Sequence, residues 1–325
     1  MKHYFITNRE IIGKYPNESI RKDGREKAGD NLRFGTYDIA SKTFELFPEP
    51  KTQAELVYAT STNTEFLGGS NRFFHEVYNQ LTSADGDVLV FIHGFNTDLN
   101  DVEKAFQRLH EVYVAPTGSN IQQIILITWP SRSPQLPLHY NNDQRDAKRS
   151  GEAFARSVDK LITFFKQVLG DPKDGKLKPC GKNLHLMAHS MGNQVLEHMV
   201  NTLKRKSDLP ELFKTIHLIA ADVRYDIFNR GQAFEHLIDM GQYVFNYYHR
   251  GDQALDISKY TKNMNNRLGR YGRMRKDPLL LEIEDIDCTN MPQDLGDAVD
   301  RKVDHWYYYT SSQAIAKIRE NLKKD

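Results

Sequence analysis

The chain has 325 residues, enough for a large core, with 44 Lys plus Arg against 43 Asp plus Glu and a formal charge of +1. This balance gives no global reason to expect nucleic acid or an anionic membrane as partner. Two cysteines, Cys180 and Cys288, lie far apart and make neither a disulfide framework nor a metal cluster, so free thiols in a reducing compartment are expected.

Residues 1 to about 60 mix short apolar pieces with Gly, Pro and Asn. Tyr4–Thr7, Arg33–Ile39 and Lys42–Phe47 read as strands, and Ser19–Asn31 as a charged loop. Apolar spacing predicts a helix over Asn71–Leu81. Four compact apolar runs follow: Val88–Ile92, Ile124–Trp129, Leu184–Ala188 and Ile216–Ala220. Their length and β-branched content suit parallel strands buried on both faces. Helical patterns separate them at Asp98–Tyr113 and Gln144–Leu169. Further strands are expected at Tyr243–Tyr248 and Leu279–Ile286, and a last helix at Ser312–Leu322. The alternation predicts an α/β class with a mostly parallel sheet flanked by helices. The expected division is an N-terminal β-rich extension, 1–60, and a catalytic domain, 61–325. The N-terminus has no apolar core of signal-peptide length, and no apolar run approaches the ~18 residues of a membrane span. A cytoplasmic location is therefore expected.

The most informative stretch is Leu184 to Asn193, a strand turning at Ser190 into a helix. Ala188 and Gly192 flank the serine at minus two and plus two, the small-x-Ser-x-Gly pattern of a nucleophile elbow. The spacing is steric, because the residues on either side of so sharp a turn come close together. A serine hydroxyl needs a base, an orienting acid and an oxyanion hole. His93-Gly94-Phe95-Asn96 follows the strand Val88–Ile92 and fits the oxyanion loop. The Phe95 N–H would join that of Met191, while His93 is read as structural. Asp252, after the strand Tyr243–Tyr248, is the preferred acid, with Asp222 as the alternative. His305 is the only histidine after His249 and is read as the base. His189 is expected to point away from the site, and His185, His217 and His249 to be core or rim residues. No metal-binding spacing occurs, and no cofactor is implied.

Two segments are less specific. The basic run Tyr260–Lys276 reads either as an anion patch or as a solvated insertion over the catalytic face. Gln135–Asn142 is a candidate lid. Phe95, Trp129, Tyr140, Trp306 and Tyr307 are candidates for an acyl pocket.

These elements resemble the α/β-hydrolase superfamily, and more narrowly a bacterial family of α/β hydrolases of unknown function. The shared pieces begin with His93–Asn96, Thr128-Trp129-Pro130-Ser131 and Ala188–Asn193. They continue with Ala220–Val223 and Phe228, Asp252–Leu255 and Ser258, Arg267-Leu268-Gly269, and His305 with Tyr307. They span roughly residues 85 to 310. Ala220-Ala221-Asp222 departs from the Ala-Pro-Asp often found in that family. The resemblance implies the α/β-hydrolase fold and supports Ser190, Asp252 and His305 as a triad. The expected activity is hydrolysis of a carboxylic ester of a small-molecule acyl substrate. An acyltransferase, thioesterase, amidase or lipase with the same triad, or a non-catalytic binding protein, are the alternatives.

Overall fold

In the computed structural model, the described residues are 1–324 except 23–27, 63–66, 84, 132–139, 170–181, 206–208, 210, 259–264 and 275–282. The strands are β1 (Lys2–Thr7), β2 (Ile11–Lys14), β3 (Asn17–Ile20), β4 (Arg33–Asp38), β5 (Thr43–Leu46), β6 (Asp87–Ile92), β7 (Ile121–Thr128), β8 (Leu184–His189), β9 (Phe213–Ile219), β10 (Gly241–Tyr248) and β11 (Ile283–Asp287). The helices are α1 (Gln53–Thr62), α2 (Gly69–Ser83), α3 (Leu99–Leu109), α4 (Tyr140–Leu169), α5 (Gly192–Leu203), α6 (Leu237–Met240), α7 (Gln253–Ser258), α8 (Leu268–Tyr271), α9 (Ala298–Arg301), α10 (Tyr307–Thr310) and α11 (Ser312–Asn321).

Nine strands form one sheet in the order β11-β10-β9-β8-β6-β7-β1-β4-β5. From β11 to β1 all neighbours are parallel, and β4 and β5 close the far edge antiparallel. Residues 1–46 therefore supply strands to the central sheet, with β1 paired to both β7 and β4. β2 and β3 form a separate hairpin. Helices cover both faces of the sheet, over two apolar cores that the strands divide by alternation: Leu184, Leu186 and Ala188 face one side, and Met187 the other. This is the α/β-hydrolase fold.

Two parts of the N-terminal region differ from the sequence reading. Ser19 and Ile20 belong to β3 rather than to a loop, and Gln53–Thr62 is helical. Both are short and carry weak apolar periodicity, so neighbours rather than local pattern decide them. Residues 279–282 of the expected strand and 135–139 of the candidate lid lie outside the described residues, and residues 140–142 of the lid open α4.

α3 shows how the sequence starts an element. Asp98 accepts from Asp101 N while the Asp101 side chain accepts from Asp98 N, a reciprocal cap that satisfies two orphan donors. The sheet order places β6 between β7 and β8, so the chain crosses from β6 to β7 in one direction and returns past β6 to β8 in the other. In open α/β sheets the crevice for ligands lies at the carboxyl ends of the strands at such a reversal. The β6–α3 loop and the β8–α5 turn meet there.

Candidate functional site

Ser190 has φ 52°, a left-handed conformation that costs a non-glycine residue free energy. The turn is held from several directions. Ser190 N donates to Ile219 O at 3.0 Å, and Ser190 O accepts from Asp222 N at 3.1 Å and Asn193 N at 3.0 Å. The Asn193 side chain donates to Ala188 O at 2.9 Å and Ser190 O at 3.1 Å. A Cβ on Gly192 would sit 2.6 Å from both Ile92 O and His93 O, so only glycine lets α5 start against the end of β6. A Cβ on Gly94 would lie 2.9 Å from Ser190 Cβ, which places the β6–α3 loop directly on the serine. Asn96, Ala220 and Asp304 are also left-handed. With Ser190, they put backbone strain on four loops that surround one cavity.

The loop His93–Thr97 is braced from β7 and β1. Asn96 N donates to Ser131 O at 2.6 Å, and Trp129 Nε1 to His93 O at 3.0 Å. Arg9, just past β1, donates to Thr128 Oγ1 at 2.8 Å and to Thr97 O at 2.6 Å. His93 donates from Nδ1 to Gly94 O at 2.8 Å, and its Nε2 accepts from Trp129 N at 3.1 Å. Burial, with Arg9 nearby, lowers its pKa to about 3, so the ring is neutral. It fastens the loop. Among the described residues the N–H groups of Phe95 and Met191 have no acceptor. Met191 also stands at the N-terminus of α5, where the helix presents partial positive charge.

Asp252 is fully buried at the head of α7, and its Oδ1 accepts from Leu255 N at 2.9 Å. Its Oδ2 lies 2.7 Å from His305 Nδ1. His305 and Ser190 line the same cavity, of about 670 Å³. Ser190 Oγ makes no hydrogen bond among the described residues. The carboxylate of Asp222 lines the cavity too but is fully engaged. Arg267 Nε is 3.1 Å from Oδ1, with both side chains 4% exposed, and Oδ2 accepts from Tyr140 at 2.5 Å and from Gln194 at 3.2 Å. The structure thus brings together Ser190, Asp252, His305, Phe95, Met191 and Asp222, and it is Asp252, not Asp222, that contacts the histidine.

Three expectations are corrected. His189 faces the cavity: β8 alternation turns it to the side of Met187, where its ring packs 4.7 Å from that of His305 and Nε2 donates to His305 O at 3.1 Å. Burial holds its pKa well below the usual value, so it too is neutral. Trp129 is fully buried behind the loop, stacked on His93. Tyr307 points into the core, donating to Tyr247 O at 2.7 Å and accepting from Ala220 N at 2.8 Å. Phe95, Tyr140 and Trp306 do line the cavity. In the basic run, Arg267, Arg270 and Arg273 pair with Asp222, Asp256 and Asp285, so these arginines tie the segment down rather than forming an open anion patch.

The profile of a family described as "Alpha/beta hydrolase of unknown function (DUF900)" matches residues 71–318. The chain belongs to this family. The DUF900 match covers the elbow, the β6–α3 loop, Asp252 and His305, and it agrees with the resemblance drawn from the motifs. No curated protein matches the chain. Among solved structures, the product of the gene lin2722 from Listeria innocua aligns at 11% identity and a TM-score of 0.35, over 74% of this chain and 95% of that one. No helix among the described residues of this DUF900 protein is long and apolar enough to cross a membrane.

Proposed function

We propose that the protein is a serine hydrolase acting on a carboxylic ester through an acyl-serine intermediate. The observation that carries this reading is the 2.7 Å contact of Asp252 with His305 Nδ1 beside the cavity that also holds the strained Ser190. His305 accepts the Ser190 proton through Nε2 as Oγ attacks the acyl carbon, then returns it to the departing alcohol. Asp252 fixes the tautomer that leaves Nε2 free and stabilises the imidazolium. The N–H groups of Phe95 and Met191 donate to the tetrahedral oxyanion. Water then attacks the acyl-serine with His305 again as base. The Ser190–His305 hydrogen bond forms as substrate binds, since such contacts are often open in a free enzyme.

Labelling with a fluorophosphonate, read by intact mass, tests this reading. One adduct is expected on the wild type and none on Ser190→Ala. Folded wild-type protein that takes no label would instead favour a non-catalytic binding protein.

A further inference from the structure

The cavity continues past Ser190 as a cleft along α3. Asp101, Lys104, Ala105 and Arg108 of α3 line it at the three- and four-residue spacing of one helical face. The opposite wall comes from the segment that carries His305, with Asp297, Asp300, Trp306, Tyr308 and Tyr309. The lining that includes the serine mixes the polar His189, His305 and Asp222 with the apolar Phe91, Phe95 and Leu255. The two walls are also joined by a hydrogen-bonded polar group, and Arg108 Nη2 lies 3.6 Å from Asp297 Oδ2 as well. Arg108 Nη1 donates to Tyr309 Oη at 2.9 Å, Arg108 Nη2 to Asp300 Oδ2 at 2.9 Å, and Tyr309 Oη to the same carboxylate oxygen at 3.1 Å. The Arg108 guanidinium also lies 4.4 Å from the Tyr309 ring centroid.

We propose that the Arg108–Tyr309–Asp300 group forms a polar end to the acyl cleft and selects acyl chains whose far end carries a hydrogen-bonding group, against long alkyl chains. The proposal rests on the serine hydrolase reading. A methylene chain laid against this group would cover a guanidinium and a carboxylate while offering them no hydrogen bond, which is costly. A hydroxyl or carbonyl at the same place accepts from the guanidinium, whose five N–H donors are not exhausted by the bonds to Tyr309 and Asp300. The apolar side chains of that lining, Phe91, Phe95 and Leu255, take the part of the chain next to the scissile bond.

The test compares kcat/KM for p-nitrophenyl hexanoate, 6-hydroxyhexanoate and decanoate. The wild type is expected to favour the hydroxylated chain by about tenfold over hexanoate, and hexanoate by about tenfold over decanoate. Arg108→Met combined with Asp300→Leu removes both charges together, and should erase the hydroxyl preference and raise decanoate relative to hexanoate. Tyr309→Phe, a milder change should the double variant not fold, should weaken the hydroxyl preference alone. Equal rates on all three esters, or ratios unchanged in the variants, would overturn the proposal. If the wild type turns over no ester, the hydrolase reading fails, and calorimetric binding of the same esters to Ser190→Ala decides the cleft's preference. Tighter binding of the hydroxylated ester supports the polar end, and equal binding of all three rejects it.

Discussion

At the scale of single residues, the carboxylates of Asp252 and Asp222 differ in their contacts, and the contacts separate what a substitution at each would do. Asp252 gives one oxygen to His305 and the other to the first turn of α7, so asparagine in its place keeps the cap and loses the charge that orients the imidazole. Asp222 neutralises the buried Arg267 and holds the Tyr140 hydroxyl. Asp252→Asn is expected to lower kcat by about 10³–10⁴ with little loss of melting temperature. Asp222→Asn leaves a buried cation uncompensated and should cost about 3–5 kcal/mol of stability, with the smaller effect on kcat per folded molecule. Steady-state kinetics beside thermal melts check both; a folded Asp222→Asn protein without activity, next to an active Asp252→Asn, would reverse the assignment. The place of Asp252 in a turn after β10 was readable from the chain, because a Gly-Asp pair after a strand is a local signal. The duty of Asp222 was not readable. Its partner Arg267 reaches it only because the chain returns alongside 221–224, with Arg224 bridged to Arg267 and Leu268 N donating to Val223 O. Pairing of that kind leaves no periodic trace in sequence.

At the scale of elements, the buried strands were legible because each is a compact apolar run, and the elbow because steric crowding restricts which residues can flank the serine. The place of the N-terminal strands was not. β1 reads locally like any short strand, and only the sheet order puts it between β7 and β4. That position gives the first strand two tasks. It supplies the ladder on the open side of β7, and it carries Arg9 to the back of the loop that presents Phe95. Deleting residues 1–46 should therefore leave β7 as an apolar edge strand, paired to β6 on one side and unpaired on the other, an aggregation-prone arrangement. The expected product is insoluble or lacks a cooperative melt. A truncated protein that melts cooperatively and takes the fluorophosphonate label would show instead that the N-terminal strands are a dispensable extension.

At the scale of the whole molecule, several buried neutral histidines tie its stability to pH. His93 and His3 are lowered to about 3, in both cases first by burial and then by a neighbouring positive group, Arg9 for His93 and His110 for His3. His189 and His217 are lowered well below the usual value, again chiefly by burial. Their hydrogen bonds use the neutral ring; His217, for instance, bridges Thr215 at 2.8 Å and Tyr247 at 3.1 Å within the sheet. Below a pH of about 6.5 the unfolded chain protonates these rings while the folded protein does not, so the unfolded state binds more protons and stability falls with pH. The contribution is complete above about 6.5 and is lost as pH drops toward the folded values, about 3 for His93 and His3. Each such histidine adds a slope approaching about 1.4 kcal/mol per pH unit once its unfolded form is protonated. Glu197 works in the opposite direction, since burial raises its pKa and makes the folded form bind a proton more readily. Several histidines against one glutamate leave a net loss, so urea unfolding at pH 7.5, 6.0 and 5.0 should give steadily lower stability, by more than about 1.4 kcal/mol between the last two. A flat profile over that range would mean that these rings take up protons inside the fold, and the neutral hydrogen-bond pattern around His93 and His189 would then be wrong.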